Sequence, residues 1–172
     1  MAPKNDSDER RVVIPASALR MPARPSFFVG QLLTSEDLRL EQEYLNAKRH
    51  LQNLATLGAG VVTGLAVSEE PGGIEVRVSA GYAVDGLGRE IIVPADVCVA
   101  WPTVDQHAPQ HWAVVIEYEE HETDPVPTTN GSMPSRVTEG YSITVLTEPP
   151  PGDDTRVVLR PFRGHREPPE RD

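Results

Sequence analysis

The chain has 172 residues and a mass of 18.8 kDa, 38% of it hydrophobic and 24% charged, which suits one domain with a real core and excludes two independent catalytic domains. Its 17 prolines and 13 glycines favour short segments joined by turns and argue against a long helical bundle. A net charge of -10 is repelled by phosphate backbones and anionic lipid, so nucleic acid is a poor partner and membrane insertion is not expected.

Cys98 is the only cysteine, which excludes an intramolecular disulfide; within Val97-Cys98-Val99 it reads as a buried, inert thiol. No apolar stretch approaches the ~20 residues that span a bilayer. The polar start Met1 to Arg11 lacks the apolar stretch of a secretory signal. The expected location is the cytoplasm, or a particle released from it by lysis.

In chain order, residues 1–26 read as a flexible N-terminal arm. Its first eleven residues are polar, and Pro15, Pro22 and Pro25 hold the rest extended. Residues 27–60 form an anchor segment and the one long helix. Thr34-Ser35-Glu36-Asp37 reads as a capping box with carboxylates in the first turn. Leu40, Tyr44, Ala47, Leu51 and Leu54 then recur at alternating steps of four and three, and Gly58-Ala59-Gly60 stops the helix after about 22 residues. Leu38 and Leu45 add a second apolar edge, wide enough for the helix to touch its own sheet on one side and a copy of itself on the other. This apolar set makes the helix the candidate interaction surface.

From residue 61 to 162 the period falls to two and the segments read as short antiparallel strands. Ile74, Val76 and Val78 alternate with Glu75 and Arg77; Trp112, Val114, Ile116 and Tyr118 alternate with Ala113, Val115 and Glu117. Pro71-Gly72-Gly73 and Asp85-Gly86-Leu87-Gly88 supply turns. The run Val61 to Val67 reads as one strand and His121 to Pro134, with three prolines, as a long polar loop. Residues 163–172 read as a disordered tail. The fold class is therefore α+β: an arm and one long helix, then an antiparallel β-sandwich or small barrel.

Chemistry leaves few traces. His107 and His111 have helical metal-ligand spacing, but Pro109 between them denies the helix, leaving an exposed loop. The acidic run Glu117 to Asp124 lacks the spacing of a calcium loop and reads as a solvated strand end. There is no Gly-x-Ser-x-Gly elbow and no activated Ser or Cys. Gly58 to Gly64 follows a helix and precedes a strand, the reverse of a phosphate-binding loop. No catalytic residue, cofactor or metal site is assigned, and the chain is not expected to be an enzyme.

Three segments follow a longer pattern: Phe27-Phe28-Val29-Gly30-Gln31-Leu32-Leu33-Thr34; Gly58 with Gly60-Val61-Val62-Thr63-Gly64-Leu65-Ala66-Val67; and Ala80-Gly81-Tyr82-Ala83-Val84-Asp85-Gly86-Leu87-Gly88-Arg89-Glu90-Ile91. Together with Asp37, Glu41-Gln42, Tyr44, Lys48-Arg49-His50 and Asn53, they resemble a family of small proteins and N-terminal domains associated with phage-tail-like contractile injection systems and their tail-fibre or baseplate parts. The resemblance covers about residues 27 to 93. It implies a structural part, an adaptor, cap or fibre-attachment subunit, that docks on other tail or baseplate proteins and forms a homo-oligomer, a trimer as the first expectation. Little chain follows Arg163 to build a receptor-binding tip, which favours an adaptor or cap. Phe27 and Phe28 are expected to anchor the helix start. Gly30, Gly58, Gly60, Gly64, Gly81, Gly86 and Gly88 mark tight turns. Arg89 is expected to bind Asp85 or a neighbouring chain. The alternative reading is a carbohydrate- or protein-binding β-sandwich module.

Overall fold

The computed structural model describes residues 14, 16, 19, 21–71, 74–101, 111–146 and 152–163. The polar start, the tail beyond Arg163, the Gly72-Gly73 pair, His107 and Pro109 lie outside them, whereas His111, expected in a loop, is the first residue of a strand. The described chain is a β-rich α+β structure with one helix and three antiparallel sheets.

Helix α1 spans Ser35–Thr56. Thr34 caps it: the Thr34 hydroxyl accepts from the Asp37 N–H at 3.2 Å, and the Asp37 carboxylate accepts from the Thr34 N–H at 2.9 Å. At the other end the N–H groups of Leu57 and Gly58 both donate to Asn53 O, at 2.8 and 3.2 Å.

Strands β1 (Gly60–Gly64), β4 (Gly81–Val84) and β5 (Glu90–Val93) form one sheet in the order β1-β4-β5. Strands β2 (Val67–Glu69), β3 (Glu75–Val78) and β6 (Val97–Ala100) form the second, β2-β3-β6. The third is β8-β7-β9, from β7 (His111–Thr128), β8 (Gly131–Leu146) and β9 (Arg156–Arg163).

The chain passes repeatedly between the first two sheets, which is why the run from Val61 to Val67 is two strands and not one. Gly64 and Leu65 both have positive φ, at 65° and 54°. The corner they make lies so close to the next one that a Cβ on Gly64 would meet Ala80 O at 2.1 Å. The corners are tied by Ser79 N–H donating to Ala66 O at 2.9 Å and Ala80 N–H donating to Asp96 Oδ1 at 3.0 Å. Because each corner moves the chain to the other sheet, neither of these two sheets grows past three strands or closes on itself among the described residues. The small barrel expected as one alternative is therefore corrected to open sheets packed together.

Their shared core is the alternating apolar face of several strands: Val76 and Val78, Ile91 and Val93, Val114 and Ile116, joined by Leu65, Ala83 and Val157. Cys98 falls on the opposite parity of β6 from Val97 and Val99 and is exposed, which corrects its expected burial.

A second correction concerns His121 to Pro134. This stretch is not a loop; it is the outer part of a long β7–β8 hairpin whose register holds from Ala113↔Leu146 to Thr128↔Gly131 around Thr129-Asn130, interrupted at Asp124, which has φ 52°. Pro125 stands opposite Pro134, and Pro127 opposite Ser132, so the ladder tolerates the missing N–H groups. The acidic run is therefore ribbon and not strand end.

Candidate functional site

The structure divides the helical stripe in two. Leu54 is only 1% exposed and, with Asn53, is covered by the chain's own β-structure. Leu54 is thus removed from the interaction surface that the spacing assigned to it. Leu40, Tyr44, Ala47 and Leu51 instead line an open groove of about 390 Å³ along α1, bounded by the extended Met21-Pro22-Ala23 on one side and Leu87 on the other. Glu43, Lys48 and His50 are its polar lining. Leu38 and Leu45, the second apolar edge, are exposed.

The docking of α1 is built from the Asp85 turn. Asp85 is fully buried: its Oδ1 accepts from the N–H groups of Leu87 and Arg89 at 2.9 and 2.8 Å, and its Oδ2 accepts from Arg89 Nε at 2.6 Å. The carboxylate that Arg89 binds is therefore within its own chain. The Arg89 guanidinium also lies 4.8 Å from the centroid of the Tyr118 ring, tying the turn to β7. Within the turn Gly88, at φ 87°, presents bare backbone to the helix. Asn53 Nδ2 donates to Gly88 O at 3.0 Å and to Glu90 Oε1 at 3.2 Å. Sequence reasoning placed no role on Asn53; its signal is a polar side chain next to the apolar stripe, which must find partners when buried.

Charge completes the attachment. Arg49 lies 3.5 Å from Glu90 on β5 and 3.6 Å from Glu139 on β8, so the helix is bridged to two sheets. Burial, and then the neighbouring Arg49, hold the His50 imidazole below its ordinary pKa. Burial and the acceptor Glu120, which takes the Tyr118 hydroxyl at 2.8 Å, push that phenol upward.

The other expected positions fall as follows. Phe27 and Phe28 are 53% and 71% exposed, and the chain there makes a turn in which Gln31 N–H donates to Phe28 O at 3.2 Å. Gly30 makes that turn possible, at φ 90°. Gly58 and Gly60 follow α1, Gly81 faces the Gly64 corner, and Gly86 N–H donates to Asp154 O at 2.6 Å. Among the described residues no group of three or more His, Cys, Asp or Glu is placed to hold a metal, and no helix is long and apolar enough to cross a membrane.

Compared with known proteins, the chain matches no family model and no curated sequence.

Proposed function

We propose that this chain is a non-catalytic assembly subunit that associates with copies of itself through α1. The assembly proposed is a phage-tail-like contractile injection particle, in which the chain serves as an adaptor, cap or fibre-attachment part and meets other tail or baseplate proteins. One observation carries the self-association: Leu40, Tyr44, Ala47 and Leu51 line an open apolar groove along α1, and Leu32 and Leu33 just before the helix are exposed. Apolar surface concentrated in this way marks an interaction site in a water-soluble chain. The particle context is supported by the resemblance of the segments quoted above.

The test has two arms. Leu51→Asp places a carboxylate in the groove while leaving the buried Leu54 and Asn53 contacts in place. Light scattering should show the mass falling toward the 18.8 kDa of one chain, with the β-sheet circular dichroism retained. An unchanged mass counts against helix-mediated assembly. Negative-stain images of the native complex that co-purifies with the chain should show tail-like particles; their absence would remove the particle context and leave the self-association standing.

A further inference from the structure

We infer that α1 pairs with α1 of a second copy in antiparallel orientation about a two-fold axis. The inference rests on the self-association proposed above and fixes its geometry. Leu40, Tyr44, Ala47 and Leu51 line one groove at steps of four, three and four, the d-a-d-a positions of a heptad. In an antiparallel pair each a position meets a d position of the other helix. An axis passing between Leu45 and Asn46 then sets Leu40 against the partner's Leu51 and Tyr44 against the partner's Ala47. A large ring meets a small residue, and every contact occurs twice, as an isologous interface requires. Parallel pairing stacks Tyr44 on its own copy and leaves a hollow layer where Ala47 faces Ala47.

Charge selects the same orientation. Glu41 and Lys48 are seven residues apart on one flank of the seam. The antiparallel arrangement brings Glu41 beside the partner's Lys48, and the two-fold axis makes that pair twice. The parallel one joins Glu43 to Lys48 but sets Glu36 against Glu41, two like charges.

Burial sets the length of the seam. Leu54 is covered by its own body, so the contact runs from Leu40 to Leu51, about three turns or ~17 Å. A two-stranded coil that short is marginal alone. The antiparallel arrangement carries the partner's exposed Leu32 and Leu33 toward Leu57 and Leu87 at the C-terminal end of α1, which are themselves exposed. The apolar lead before the helix then extends the interface.

The test uses the full chain in sedimentation equilibrium at low salt, with circular dichroism to verify folding. The wild type should weigh twice the 18.8 kDa of one chain. Glu41→Lys and Lys48→Glu should each weaken dimerisation about tenfold, because two attractive pairs become repulsive. The double variant should restore it; parallel pairing predicts no rescue, since Glu at 48 would then face Glu43. A dimer that the double variant rescues supports the pairing. A trimer or larger species, or a dimer without rescue, overturns the two-fold geometry and leaves self-association intact. A chain that stays monomeric at high concentration overturns both.

Discussion

A Cβ atom on Gly88 would sit 2.3 Å from the carbonyl oxygen of His50, so helix α1 and the Asp85 turn meet backbone to backbone. This contact fixes how the long helix leaves the β-structure, and with it which part of the stripe is covered. Gly88→Ala brings both a clash and a strained φ of 87°, and should lower stability by about 3 kcal/mol in denaturant unfolding. Gly30→Ala is the control. Its φ of 90° is similar but nothing lies within 4 Å of the added carbon, so about 1 kcal/mol is expected.

Asp85→Asn keeps the shape of the turn and removes its charge. The buried carboxylate accepts two backbone N–H groups and the Arg89 guanidinium, and the amide cannot accept all three equally. A loss of about 3 kcal/mol is expected in denaturant unfolding. Arg89 should also lose its fixed place over Tyr118, which near-ultraviolet circular dichroism would register. An unchanged midpoint and spectrum would show that the turn holds without the ion pair.

The depressed pKa of His50 gives stability a pH dependence. Unfolded chain takes up a proton near the ordinary value of 6.5, while folded chain resists it until lower pH, because burial and then Arg49 disfavour the cation. Within that window the unfolded state binds more protons, so stability is fully present above it and declines as pH falls through it. Thermal unfolding between pH 7.5 and 5 should show the decline, and His50→Gln should flatten it. An identical slope in the variant would assign the effect elsewhere.

The outer β7–β8 ribbon is built from residues that are exposed from Asp124 to Arg136. Replacing that stretch with a two-residue turn should change stability by less than about 1 kcal/mol, since no core side chain is touched. The replacement removes both ends of the 3.2 Å Arg136–Asp124 pair, a solvated contact of small worth. A large loss of stability would show that the ribbon supports the body.

Much of the local structure was legible in the residues. The Thr34–Asp37 cap, the stop at Gly58 and the Asp85–Arg89 turn are each closed by hydrogen bonds between groups a few residues apart. The ribbon was not legible, because three prolines read as a loop until β8 supplies a partner that needs no N–H from them. Nor was the exposure of Phe27 and Phe28, since an apolar pair beside a helix cap looks the same whether or not a neighbour covers it.

The sequence by itself determined where the helix begins and ends, which strands alternate, and that a single cysteine forms no disulfide within the chain. Only the tertiary structure decided that the chain turns between sheets at Gly64 and Leu65, that Leu54 is buried, and that Leu40 to Leu51 face an open groove. The difference is one of range. Periodicity and capping are set within one or two turns of chain, whereas burial depends on which distant backbone comes close enough to cover a side chain, as Gly88 does for Asn53.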